Sequence, residues 1–180
     1  MSELPLPREI RCVLVPVGQQ RLLLPNATIA EVISLPTPEP VAGAPAWLLG
    51  RIAWRGWSVP LVSFTALAGV GEADAGQVPR VAVLKALGNQ PQMPFIAVVT
   101  HGFPRLTTLN AELIIPTHDG MPLPPGTQAR VLVRDDLAAI PDLEGIEKLL
   151  DGLLLQAAQP PRAEEPITEA TATSLPLRPI

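Results

Sequence analysis

The sequence of 180 residues is 47% hydrophobic, with 13 basic against 17 acidic side chains and a net charge of −4. That suits one folded domain, or two small lobes, with room for a tail. The basic residues are scattered, which excludes a dedicated nucleic-acid surface, and the single Cys12 excludes an internal disulfide.

The 23 prolines lack an amide donor and break helix interiors, so a mainly β chain is expected, with prolines at turns and sheet edges. Residues 1–8 read as a flexible N-terminus in which Glu3 and Arg8 interrupt any secretory leader. "REIRCVLVPV" predicts a first strand, with Cys12 as a buried, inert thiol, and Gly18-Gln19 turns it into "QRLLLP". "TIAEVISL" predicts a strand with Ile29, Glu31 and Ile33 on one face and Ala30 and Val32 on the other. Residues 36–45, with four prolines and a glycine, form a loop, and "AWLLG" suggests a single helical turn ended by Gly50.

"RIAWR" and "WSVPLVSF" predict two short strands about Gly56, and Ser63 is placed to cap a helical turn, "FTALAG". The small and polar "GVGEADAGQ" reads as a connector between halves, near 69–77. Strands resume at "RVAVLKAL" and "PFIAVVT", followed by weaker ones at "RLTTL" and "ELIIP". After the loop "THDGMPLPPG", "QARVLV" and "LAAI" pair around Arg134-Asp135-Asp136. The period then changes: Leu143, Ile146, Leu149, Leu150, Leu153 and Leu154 recur at helical spacing, with Pro141 suited to the first turn and Asp142 to its cap. Residues 157–180 turn to Pro, Glu, Thr and Ala and read as a disordered tail. "LLDGLLLQAA" is too short and broken to span a bilayer, so direct membrane insertion is not expected and the cytoplasm is the expected compartment.

Catalytic patterns are sparse. His101 and His118 have no Cys near them and no supporting metal-ligand spacing, so no metal and no cofactor are expected. "GVGEADAG" lacks the Lys-Ser or Lys-Thr of a phosphate loop. Asp135 and Asp136 suit a hairpin tip better than acid–base work, and Ser34, Ser58 and Ser63 lack a nucleophile elbow. The expected protein is a binder or scaffold rather than an enzyme.

All three tryptophans lie within "APAWLLGRIAWRGWSVPLVSF". The spacing Pro45-x-Trp47-Leu48-x-Gly50, then a short strand, Arg55-Gly56 and Val59-Pro60-Leu61, with "IAEV" upstream, closely resembles the CheW family of bacterial chemosensory adaptors. The resemblance runs over residues 9–156 and is strongest from 22 to 64. It implies two small five-stranded SH3-like β-barrels packed side by side, a C-terminal α-helix, and no cofactor. It also implies a non-catalytic role, bridging the cytoplasmic tips of methyl-accepting chemoreceptors in membrane-bound arrays to a CheA-type histidine kinase.

The family's partner-contacting surface maps onto Glu31 and Arg55. Ile29, Gly56 and Trp57 complete the expected partner-binding set, and Pro45, Trp47, Gly50 and Pro60 are the structural motif. An exposed Glu31–Arg55 pair would by itself be a modest structural contact. Trp47 is expected in the core, with at least one of Trp54 and Trp57 partly exposed. The sequence departs from the family at Ala53, where asparagine is common, at Ser63, where aspartate is common, and in "AVVTHGFPRL", which replaces a Val-Asp-x-Val segment. These departures suggest a specialised paralogue governing type IV pilus motility. Two alternatives stand beside it: a CheW-like fold repurposed for another protein partner, and a small ligand-binding barrel using the loop at 116–126.

Overall fold

A computed structural model describes residues 9–71 and 76–158. The expectations for residues 1–8 and for 159–180 lie outside the described residues.

The chain opens with the hairpin β1 (Ile10–Val17) and β2 (Gln20–Pro25), joined at Gly18-Gln19. Both strands are buried on two sides, which their unbroken aliphatic runs require. Cys12, Leu14 and Leu23 point into one core, and Val13, Val15, Val17, Leu22 and Leu24 into another. Burial raises the Cys12 thiol pKa and keeps it protonated. Next come β3 (Ile29–Ser34), β4 (Leu48–Trp54), β5 (Trp57–Val62) and the short helix α1 (Phe64–Ala68). The Ser63 hydroxyl accepts from the Ala66 amide and caps α1, and Gly69 ends it in the left-handed conformation. The chain continues through β6 (Pro79–Lys85), β7 (Phe95–His101), β8 (Arg105–Leu109), β9 (Ile114–Pro116), β10 (Thr127–Val133), β11 (Asp136–Pro141) and α2 (Leu143–Ala158).

Two sheets result, ordered β8-β1-β2-β11-β10-β9 and β3-β6-β7-β5-β4. Each curves around its own interior: Cys12, Leu14, Leu109, Val131 and Val133 in the first, Ile52, Trp54, Val59, Leu61 and Val83 in the second. Between them lies a third and larger core, where β1 and β2 meet β6, β7, α1 and α2. The architecture is the expected pair of small barrels with a C-terminal helix, one of them built from six strands.

The segment near 69–77 does not divide the barrels, since it links α1 to β6 and both β5 and β6 belong to the five-stranded sheet. The chain changes sheet after β2 and again after β7. Part of that segment, 72–75, lies outside the described residues.

Several local expectations are corrected. "AWLLG" is not a helical turn: Ala46 and Trp47 form a turn closed by the Leu48 amide on the Pro45 carbonyl at 3.0 Å, and Gly50 lies inside β4. In β3 a bulge between Ile29 and Glu31 breaks the alternation. Ile29 and Val32 therefore face the central core, while Ala30 and Ile33 face the barrel interior. Pro141 ends β11 rather than starting α2, and the Asp142 carboxylate caps the helix by accepting from the Gly145 amide at 3.0 Å. Residues 157–158, expected in the tail, belong to α2.

Leu143, Ile146 and Leu150 anchor α2 in the central core, each worth about 1.5–3 kcal/mol of burial. Leu149 is exposed, because the helix rests in a concave junction and presents position 149 to solvent.

Candidate partner-docking site

The β4–β5 hairpin turns on Arg55-Gly56, with φ of 45° and 81°, the two positive values of a type I′ turn. Glycine accepts this readily, whereas arginine bears a strain of about 1–2 kcal/mol. Trp54 and Trp57 face each other across the turn. Trp54 is buried, Trp57 is 42% exposed, and Phe95 at the start of β7 packs edge-on against both, with ring centroids 4.8 and 6.0 Å away.

Strands β3 and β4 are opposite edges of the five-stranded sheet, and they are brought together here. Glu31 Oε2 accepts from Trp54 Nε1 at 2.9 Å and pairs with an Arg55 terminal nitrogen at 3.0 Å. The guanidinium also stands over the Trp54 ring, 5.1 Å from its centroid. One carboxylate oxygen thus closes the barrel edge and steadies the turn residue. With 67% of the Arg55 side chain and 38% of the Glu31 side chain exposed, the ion pair adds only about 0–1 kcal/mol to stability. What the cluster presents outward is a guanidinium with free donors, one carboxylate oxygen and an aromatic edge.

The expected residues do not all meet. Glu31, Arg55, Gly56 and Trp57 converge, but Ile29 is set apart by the bulge, half-buried against the central core. Trp47 is likewise half-buried there rather than fully enclosed, and its carbonyl accepts from the Ser63 amide at 2.8 Å. Gly50 has a steric reason: Glu39 crosses β4 through paired backbone bonds with Arg51, both 2.8 Å, and a Cβ at 50 would come within 2.3 Å of the Glu39 carbonyl oxygen. Pro60 is buried in β5 opposite Arg51, just before Leu61 and Val62 pair with β7. Phe95 was not singled out from sequence; an aromatic at a strand start, just after Pro94, was its only signal.

The other candidate residues lie apart from this cluster. His101 Nδ1 accepts from the Gly18 amide at 3.0 Å, and His118 is exposed. Among the described residues, no group of three or more His, Cys, Asp or Glu is placed to hold a metal ion. Asp136 is held by Arg21 and Arg105. The loop at 116–126 borders an open groove of ≈530 Å³ whose charged pair, Arg130 and Asp119 at 2.7 Å, is closed on itself.

Comparison with known proteins decides the family, for the CheW-like domain matches over residues 11–149. The chain belongs to the CheW-like family. Its fold is similar to that of the scaffolding protein TtCheW from Thermoanaerobacter tengcongensis, with a TM-score of 0.63 at 14% identity, covering 79% of this chain and 90% of that one. No curated protein matches the sequence. Among the described residues of this CheW-like chain, no helix is long and apolar enough to cross a membrane.

Proposed function

We propose that this CheW-like chain is a non-catalytic chemosensory adaptor, coupling the cytoplasmic tips of chemoreceptors to a CheA-type histidine kinase. The observation that carries the reading is the outward cluster of Glu31, Arg55 and Trp57 on a rigid barrel edge, in a family with a scaffolding protein among its folds. Arg and Trp are the side chains that most often anchor protein interfaces. A non-catalytic role also suits the histidines and aspartates, each engaged in structure or set apart. The departures at Ala53, Ser63 and "AVVTHGFPRL" favour a specialised array, and we assign it to type IV pilus motility in the cytoplasm.

The test is affinity capture from the source cell with the tagged chain. A CheA-type kinase and chemoreceptors should co-purify with the parent and be lost together with an Arg55→Asn variant, and deletion of the gene should abolish twitching while leaving swimming intact. Capture of neither partner would overturn the adaptor reading, and lost swimming with normal twitching would overturn the pilus assignment.

A further inference from the structure

The segment "AVVTHGFPRL", in which this chain departs from its family, contains a contact that joins the two barrels. His101 is half-buried and ends β7, in the five-stranded sheet. The Gly18 amide that its Nδ1 receives at 3.0 Å lies in the β1–β2 turn of the six-stranded sheet, 83 residues away. Both ends of this bond are held. Thr100 is fully buried and donates its hydroxyl to the Gly102 carbonyl at 3.0 Å, which braces the backbone on either side of His101. Gly18 has a φ of 55°, and a Cβ there would strike the Gly71 carbonyl and the Thr65 methyl. The next amide, of Gln19, rests on that same Gly71 carbonyl at 3.2 Å.

A nitrogen that accepts carries no proton, so this bond requires the neutral ring with its hydrogen on Nε2. In the imidazolium both nitrogens are donors, and the Gly18 N–H would face another N–H. Proton and amide thus compete for one lone pair, on the side chain whose charge changes between about pH 5 and 8. The neighbouring elements bring few charges to it. Pro79 lies opposite on β6, and the next residue, Arg80, stands over the Phe103 ring at 4.0 Å. The β1–β2 turn brings Gly18 and Gln19, α1 is followed by Gly71, and Arg105 on β8 is held by Asp136. Among the described residues, no carboxylate is within ion-pair distance of His101. Glu72 and Asp74, in the connector after Gly71, lie outside them.

We propose that His101 is a pH-operated clasp between the two barrels, closed on the Gly18 amide while the ring is neutral and opened by its protonation. Opening frees the β1–β2 turn, whose Gln19 and Gln20 line a groove of ≈500 Å³ together with Arg130 and Leu137. Acid is therefore read out at the seam and at that groove. The docking cluster is spared, because Phe95 beside it begins β7 and His101 ends the strand, about 20 Å away. Nothing in the clasp depends on which partners the cluster serves.

The experiment is an NMR titration of the full chain carrying His118→Gln, which leaves His101 as its one histidine. At about pH 8 the ring nitrogens should report the Nε2–H tautomer. On acidification to about pH 5, the Gly18 and Gln19 amides should shift with the same midpoint as the His101 ring, while the Trp57 indole stays in place. His101→Asn sets a carbonyl oxygen that does not titrate near the place of Nδ1, so it should hold the Gly18 amide in its closed position and flatten its response to pH. His101→Leu should give the open-state shift at every pH. An Nδ1–H tautomer in the neutral ring would overturn the proposal. So would a Gly18 amide unmoved through the ring's titration, or an undiminished response in His101→Asn, which would assign it to Glu72, Asp74 or another carboxylate.

Discussion

The carboxylate of Glu147, on α2 and only 2% exposed, receives the Gly88 amide at 2.6 Å, and it takes the Leu87 amide at 2.6 Å as well. A buried charge is held in place by two donors from the β6–β7 connection, which ties the C-terminal helix to the five-stranded barrel. Gly88 is part of the fit, since a Cβ there would come within 2.4 Å of Glu147 Oε2.

Glu147→Ala should therefore destabilise the fold by about 1.5–3 kcal/mol, because two part-buried amides lose a charged acceptor. Glu147→Gln should fall between variant and parent, since one amide oxygen can serve one of the two donors. Urea denaturation measures both. An unchanged midpoint for Glu147→Ala would show that the contact does not hold α2 in place.

At Arg55, binding and folding are separable by backbone conformation. Asparagine tolerates the left-handed φ better than arginine, so Arg55→Asn should leave stability unchanged or raise it by up to about 1 kcal/mol, despite the lost exposed ion pair. Association with the kinase or receptor should weaken at least tenfold. Melting and titration on one preparation decide it: a large stability loss with unaltered binding would make Arg55 structural.

Helix α2 offers a paired test. Leu150 is fully buried and Leu149 is 47% exposed, so Leu150→Ala should cost about 2–5 kcal/mol. Leu149→Ala should stay within about 0.5 kcal/mol. Equal losses would contradict the orientation of the helix.

Acid stability should report on Asp136. Partial desolvation raises its pKa, but the hydrogen bond from Arg105 and the charge of Arg21 outweigh it and hold the carboxylate below its ordinary value of 3.8. A depressed folded-state pKa stabilises the protein above the unfolded value, and that contribution is lost as pH falls through the folded one. Arg105→Ala should therefore lower stability at neutral pH, and its difference from the parent should shrink as pH falls through the folded-state value. Urea midpoints between about pH 3 and 6 read this directly. A gap between variant and parent that stays constant into acid would remove Asp136 from the account.

The strand-level reading was available from sequence because turns are chemically marked. Gly18-Gln19, Arg55-Gly56 and Ser63 each announce a local conformation, and the structure places a turn or cap at each. The bulge at the start of β3 carries no such mark. It is dictated by β6, on which Leu84 must meet Ile29 while Val83 meets Glu31, so Ile29 could not be separated from the docking cluster in advance. The sharing of strands between sheets was equally hidden, since the polar connector near 69–77 looks like a boundary but lies within one sheet. Leu149 has the same spacing as its buried neighbours, and only the shape of the junction exposes it. Glu31 and Arg55 were legible as a motif, whereas the Trp54 indole that joins them to the barrel depends on β3 and β4 meeting.

The six-stranded barrel takes β1 and β2 from the start of the domain and β8 to β11 from its end, while the five-stranded one is continuous from Ile29 to His101. On a ribosome, the second can close while synthesis is still under way. The first hairpin must wait until β11 has emerged, holding an aliphatic ribbon without its neighbours for the time it takes to make more than a hundred residues. At about 5–20 residues per second, that interval is several seconds or longer. Pairing across so great a separation is also intrinsically slow. The docking edge at Arg55 is thus assembled early, and the late step in folding is the return of the C-terminal strands to the N-terminal hairpin.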